Sequence, residues 1–235
     1  MEDKSIAILI DADNIASKYI RTIIDEATNY GVITYKRIYG DWTTPNMKSW
    51  KDVLLEYSIN PIQQYSYTTG KNATDSAMII DAMDILYTGH VDGFCLVSSD
   101  SDFTKLASRL KEAGKTVIGM GKQQTPKAFV AACSIFRYID ILSGEKSSHH
   151  DETRSRVSDD STITNEKVIK RSIQAIIEEN ANVEGWTLAS VIGMQMQKKF
   201  PDFDCRNYGC KKMIDLLKKL NFETKVSDKT TYLVR

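Results

Sequence analysis

Residues 5–14 read SIAILIDADN: a continuous apolar run that ends in two carboxylates and an amide. A run of five or six residues with no polar break is what a strand covered on both faces requires, so the stretch predicts a central strand of a parallel sheet. Side chains alternate along a strand, which puts Asp11 and Asp13 on one face if the strand continues. If the chain turns there instead, Asp13 or Asn14 is a natural helix N-cap. Residues 94–103, FCLVSSDSDF, repeat the pattern: an apolar strand runs into Asp100 and Asp102, and a helical stretch follows.

Outward from these two runs, the first 142 residues alternate β-prone segments (6–10, 32–38, 62–65, 93–97, 116–120, 136–139) with amphipathic ones (16–29, 46–57, 74–88, 103–113, 126–133). Strict alternation of this kind predicts an α/β fold, a mostly parallel sheet with helices on both faces. In such sheets ligands bind beyond the carboxyl ends of the strands, where both acidic motifs fall. The first strand is not followed by GxGxxG, which argues against a dinucleotide-binding dehydrogenase.

Residues 143–162 (SGEKSSHHDETRSRVSDDST) hold almost no large apolar side chains and read as a flexible linker. From 163 to 235 the pattern changes. Helical segments at 168–179, 188–200 and 210–220 precede a hairpin over 222–234, centred on Ser227-Asp228-Lys229, which describes a winged helix-turn-helix. The expected division is 1–142, 143–162 and 163–235.

With 42% hydrophobic and 26% charged residues the composition is that of a globular protein, and the net charge of zero argues for no class of partner. Charge is uneven, however. Residues 1–144 and 145–162 each sum to −2, whereas 163–235 carry 13 basic against 9 acidic residues, or +4, which permits phosphate contact in the last segment. The opening MEDK is not a signal peptide and no run reaches the roughly 18–20 apolar residues of a membrane span, so the expected location is cytoplasmic. Four cysteines (Cys95, Cys133, Cys205, Cys210) lack metal-ligand spacing and read as reduced thiols. His90 is the one histidine outside the linker pair His149 and His150, so no Ser/His/Asp or Cys/His centre competes with the acids.

A third acidic element is GKNATD at 70–75, which opens the helix over 74–88. Asp75 falls in its first turn, where the helix dipole favours a carboxylate. Asp81 lies six residues on, about 240° around the helix, and with Asp84 reads as structural or solvated. Carboxylates drawn together raise one another's pKa unless a cation relieves them. Oxygen ligands suit Mg2+ or Mn2+, which polarise a phosphate and acidify attacking water. Lys71, Ser99 and Thr125 are candidate phosphate-binding or water-orienting groups. The turn GMGKQQTP at 119–126 either lets backbone approach a phosphate or is a Thr-capped helix start with Pro126 at its first position.

Together these residues resemble a NYN domain, a PIN-like nuclease family that includes the LabA/DUF88 proteins. The resemblance rests on IDADNI at 10–15, KNATD at 71–75 and SSDSDF at 98–103, in the family's order and spacing, and covers more than half of the chain. It implies a Rossmann-like three-layer α/β/α fold whose acidic pocket uses Mg2+ or Mn2+ to hydrolyse RNA. Asp11, Asp75, Asp100, Asp102 and Asn14 would be catalytic, and Asp11, Asp13, Asp75 and Asp100 would hold metal. Residues 163–235 resemble the LOTUS, or OST-HTH, domain through GWTL at 185–188, FPDFD at 200–204, RNYG at 206–209 and LLKKLNFE at 216–223. That resemblance implies RNA, single-stranded or structured, as the partner, with Arg206, Tyr208, Lys211, Lys212 and Lys219 as contacts, and proteins as a second class of partner for this module. Tyr208 as a core residue and the lysines as a solvated helix face are the competing reading.

Two other functions compete. One is a non-catalytic RNA-binding adaptor whose pocket binds metal without turnover. The other is a haloacid-dehalogenase-like phosphatase using Asp11 as nucleophile; that family also requires a Thr or Val after DxD, where Asn14 stands, and a cap insertion that this sequence lacks.

Overall fold

The computed structural model describes residues 4–65, 73–145, 163–228 and 231–235. Lys71, most of the 143–162 linker with His149 and His150, and Lys229 at the hairpin turn lie outside them. The chain divides into two compact units, Met1–Lys146 and Ser147–Arg235.

In the first unit the elements run β1 (Ser5–Asp11), α1 (Ile20–Ala27), β2 (Val32–Gly40), α2 (Lys48–Leu54), β3 (Asn60–Gln63), α3 (Ala73–Thr88), β4 (Gly93–Val97), α4 (Thr104–Glu112), β5 (Thr116–Gly121), α5 (Lys127–Ala132), β6 (Ile135–Tyr138) and α6 (Ile139–Leu142). The strands form one sheet in the order β3-β2-β1-β4-β5-β6, and every pair is parallel. The α/β expectation holds. The strand order reverses between β1 and β4, so a crevice opens at their carboxyl ends, where open α/β sheets bind ligands.

Burial explains the apolar runs. Ile6, Ile8 and Ile10 of β1 share a core with Cys95, Val97, Ile118 and Met120 from the neighbouring strands, with Ile20 and Ile23 of α1, and with Trp50 of α2. Ala7 and Leu9 point to the opposite face and are equally buried; on that side α3 packs on β1 and β2, and α4 on β5. Truncating Leu9 to Ala would cost about 2–5 kcal/mol through lost transfer and the cavity left behind. A buried ion pair, Arg137 Nε to Glu26 Oε1 at 3.1 Å, links β6 to α1, and the Tyr30 hydroxyl donates to the same carboxylate.

Several boundaries differ from expectation for local reasons. The third strand is Asn60–Gln63 rather than 62–65 and contains Pro61, tolerated because β3 is an edge strand. The helix expected over 46–57 begins at Lys48 after a 3-10 turn, Pro45–Met47, and ends at Leu54 ahead of Ser58, which adopts a left-handed φ of 51°. The last strand shifts to Ile135–Tyr138, and a one-turn helix follows directly.

The second unit contains α7 (Glu166–Asn180), β7 (Thr187–Leu188), α8 (Ala189–Lys199), α9 (Met213–Lys219), β8 (Thr224–Asp228) and β9 (Thr231–Val234). The three strands make an antiparallel sheet, β7-β9-β8, beside the helices, in keeping with a winged-helix module. Asn165 caps α7, accepting the Lys167 N–H at 2.8 Å. The apolar side of α7, Ile169, Ile173, Ile176 and Ile177, packs with Ile192, Met196, Leu216, Leu217 and Val234. The helix expected from 210 begins only at Met213. Gly209 sits at φ 73° after a 3-10 turn, Cys205–Tyr208, and Lys212 is the extended N-cap. On the sheet, Lys225 Nζ and Arg235 Cζ lie 4.2 and 4.9 Å from the Trp186 ring centroid, a cation-π pairing that fixes the indole.

Candidate active site

β1 ends at Asp11, whose carboxylate is only 3% exposed and is surrounded by donors. Its Oδ1 accepts the N–H groups of Asp13 (3.1 Å) and Asn14 (3.2 Å), and its Oδ2 accepts the Ser98 hydroxyl (2.8 Å). The chain turns on Asp11 itself; neither Asp13 nor Asn14 caps the following 3-10 turn, whose N-cap is Ala16. Burial pushes the Asp11 carboxyl up to about 6. The Ser98 hydrogen bond opposes that rise, and the charges of Asp75 and Asp13 add to it.

Asn14 and Asp13 tie this loop to its neighbours. Asn14 Oδ1 accepts the Ser99 N–H at 3.1 Å, so the loops after β1 and β4 are joined. Asp13, exposed, accepts the hydroxyl of buried Thr74 at 2.8 Å, which anchors the loop on the first turn of α3. At the end of β4 Asp100 caps, accepting the Asp102 N–H at 2.9 Å, and Asp102 lies within the 3-10 turn Ser101–Phe103.

Asp75, Asp100 and Asp102 come together, one carboxylate oxygen from each lying within 4.8 Å of the others. Asp75 and Asp100 are half-buried and Asp102 is exposed. Burial, then the negative charges of Asp100, Asp102 and Asp13, push the Asp75 carboxyl up to about 6. Asp11 is not part of this triad, although the charge of Asp75 is felt at Asp11 and raises it further. Asp81 belongs elsewhere: it accepts from Arg37 and Tyr39 and holds α3 on β2.

The candidate phosphate groups are placed unequally. Lys71 lies outside the described residues. Ser99 Oγ accepts the Lys122 N–H at 2.9 Å, bracing the β4 loop against the one after β5. Thr125 is fully buried, and its hydroxyl closes its own turn on the Lys122 carbonyl at 2.6 Å. The N-cap of α5 is Pro126, without a side-chain cap bond. The two glycines of GMG leave room for the chain's own atoms. A Cβ on Gly119 would meet Phe136 and Cys133 at 2.5 and 2.6 Å, and one on Gly121 would meet Thr125 Oγ1 at 2.5 Å and the Ser98 carbonyl at 2.7 Å.

In the second unit Tyr208 is a core residue, 7% exposed, packed on Phe203 with its hydroxyl donating to the Thr164 carbonyl at 2.8 Å. The Arg206 guanidinium grips Asp204, with NH2 to Oδ2 at 2.7 Å. Lys219 binds Glu166 and, at 3.0 Å, the Tyr208 carbonyl. Lys211 and Lys212 are exposed, and Lys212 lines a surface groove of about 460 Å³ with Ser190, Met194, Gln197 and Tyr232.

Two residues of the first site were not anticipated, Ser98 and Thr74. For Ser98 a signal existed. It stands two residues before Asp100 at a strand end, so alternation places both on one side. Thr74 carries no signal beyond its place beside Asp75.

Residues 5–142 match the family model of the NYN domain, and residues 166–234 that of the OST-HTH/LOTUS domain. An uncharacterized protein of Methanocaldococcus jannaschii is 28% identical over 145 residues, 60% of this chain and 56% of that protein; the chain thus spans about half the length of the curated relative it matches. The crystal structure of a protein of unknown function from Vibrio parahaemolyticus shares the fold, with a TM-score of 0.50 and 22% identity over 59% of this chain and 94% of that one.

Proposed function

Because the chain belongs to the NYN domain family and carries an OST-HTH/LOTUS domain after it, we propose that it is a metal-dependent ribonuclease. The NYN domain suggests a nuclease and the LOTUS domain suggests RNA binding. The observation that carries the reading is the triad of Asp75, Asp100 and Asp102 oxygens within 4.8 Å of one another, beside the switch point of the sheet.

The donor set fits a hard divalent cation. All three groups are carboxylates; burial and then the neighbouring carboxylate charges push Asp75 up to about 6, and a cation would offset the mutual repulsion. Asp75, Asp100 and Asp102 would hold Mg2+ or Mn2+, with Asp11 next to them. When bound, such an ion supplies Lewis-acid stabilisation of the phosphate and acidification of the attacking water.

The remaining work falls to side chains of the chain. A carboxylate has about four lone-pair sites, and three donors occupy Asp11, so its Oδ2 retains one with which to accept a proton or a hydrogen bond. Asn14, its oxygen engaged by Ser99, offers its amide N–H groups to a phosphate oxygen. Lys71, four residues before Asp75, supplies a positive charge for the same phosphate. In the second unit, Lys211 and Lys212 are assigned to the RNA backbone. Tyr208 and Arg206, committed to the core and to Asp204, are assigned to holding the fold that presents them. Both oxygens of Asp11 already accept hydrogen bonds and the group is buried, which argues against its service as a phosphatase nucleophile.

End-labelled single-stranded RNA incubated with wild type and Asp100→Asn, in Mg2+, Mn2+ or EDTA, tests the proposal. Cleavage is expected only for wild type with metal. Equal degradation by both proteins irrespective of metal would refute it, and metal binding without turnover would establish the adaptor reading instead.

A further inference from the structure

Ser98, the first residue after β4, has a fully buried hydroxyl used in both directions. The Asp100 N–H donates to Ser98 Oγ at 3.1 Å, which turns the hydroxyl's own proton toward Asp11 Oδ2 at 2.8 Å. A buried hydroxyl costs stability unless it is hydrogen-bonded, whereas an alanine methyl there would bury no hydroxyl but would leave the Asp100 N–H and Asp11 Oδ2 without this partner. What distinguishes serine at this position is what it joins. Through one oxygen, the carboxylate that ends β1 is tied to the backbone of Asp100, which in turn holds the Asp102 N–H at 2.9 Å. Asp11 thereby has its Oδ1 fixed by two N–H groups of its own turn and its Oδ2 fixed from the neighbouring strand. Ser99, the residue more obvious in sequence, is only half-buried and braces loops through Asn14 and Lys122 without touching a carboxylate.

We propose that Ser98 is a positioning residue that sets the spacing between Asp11 and the Asp75–Asp100–Asp102 triad, and so the affinity of the centre for a divalent cation. The proposal rests on the metal-nuclease reading. Partners of this kind behind a metal centre change affinity or activity by about 10–100-fold when removed.

The experiment measures Mn2+ affinity by calorimetry and RNA cleavage by kcat and KM, on the full chain, for wild type, Ser98→Ala, Ser98→Cys and Ser98→Thr, with folding checked by circular dichroism in EDTA. For Ser98→Ala, Mn2+ affinity is expected to fall about tenfold or more, with kcat falling and KM for RNA unchanged. Thr, which keeps the hydroxyl, should restore both. Cys, similar in size but a weak donor, should lie between Thr and Ala, and it carries the comparison if Ala does not fold. A purely structural role would lower the melting temperature and leave the Mn2+ affinity of the folded protein at the wild-type value; that result in Ala or Cys overturns the proposal. If wild type itself binds no Mn2+, the metal-nuclease reading fails in that arm, before any variant is compared, and this inference falls with it.

Discussion

Replacing Asp11 by Asn should make the metal-free protein more stable at alkaline pH while weakening its metal response. Burial lifts the Asp11 carboxyl from its ordinary 3.8 to about 6. A carboxyl raised on folding favours the native state fully below pH 3.8, and that contribution is lost as pH rises through about 6. At 1.36 kcal/mol per pKa unit, the ionised form therefore costs wild type about 3 kcal/mol by pH 8. Asparagine removes that cost. Its oxygen can still accept from the N–H groups of Asp13 and Asn14, but its amide then meets Ser98 Oγ, already an acceptor for Asp100, and the Ser98 proton loses its acceptor. That loss is worth about 1 kcal/mol. A net gain of about 2 kcal/mol corresponds to a rise of roughly 4–8 °C in the melting of the first unit. Scanning calorimetry in EDTA at pH 8 and pH 4 reads the difference, which should vanish or reverse at pH 4. Adding Mn2+ at 100 times its dissociation constant for wild type should stabilise wild type by about 2.7 kcal/mol and the variant by less, narrowing or reversing the difference at pH 8. A variant that melts below wild type in EDTA at pH 8, or a difference independent of pH, would refute the electrostatic account of Asp11.

Gly121→Ala should cost about 1–3 kcal/mol and reduce cleavage, because its Cβ would meet the Ser98 carbonyl at 2.7 Å and push the β4 and β5 ends apart; urea titration and the RNA assay measure the two effects. Glu26→Gln removes the carboxylate charge that faces buried Arg137 and should destabilise by about 3 kcal/mol with no change in Mn2+ affinity. Replacing Lys211 and Lys212 together by Ala should weaken RNA binding and lower the salt slope of the affinity by about 2, read by fluorescence anisotropy at several salt concentrations. Deleting 163–235 should weaken RNA binding more than cleavage of saturating RNA, and unchanged binding would move that module's role to proteins.

What sequence reveals here follows from the range of the forces involved. The runs 6–10 and 94–97 announce buried parallel strands because burial on both faces leaves no polar alternation, and Asp11, Asp75 and Asp100 stand out because each follows or opens an element. Which aspartate does what is harder to read. Asp13 looks like a helix cap, yet Asp11 receives the N–H groups of the turn and Ala16 is the N-cap, while Asp100 caps the turn that holds Asp102, since the acceptor geometry depends on where the chain turns. Asp11 stands outside the triad because the Ser98 hydroxyl, 87 residues away in sequence, reaches across from β4. Tyr208 illustrates the same limit in the second unit. A tyrosine among lysines suits base stacking, and only the partner at Thr164, 44 residues earlier, reveals it as core. Thr125 and the GMG glycines resemble a phosphate loop, but the crowding that selects them comes from Phe136, Cys133 and Ser98.

The order of strands also governs when the centre can come into being. β1 pairs with β4 in the register Ile6 to Gly93, so Asp11 and Asp100 meet only after a loop of nearly ninety residues has closed. Non-local parallel pairing of this kind is slow, and its entropy is lost before its contacts reward it. A nascent chain still short of residue 93 has Asp11 and Asp13 but neither the strand that brackets them nor two of the three triad carboxylates. Prematurely terminated products of that length would lack the assembled acidic cluster. The acidic cluster therefore depends on the pairing of β1 with β4, whereas β5 and β6 extend the sheet from later sequence.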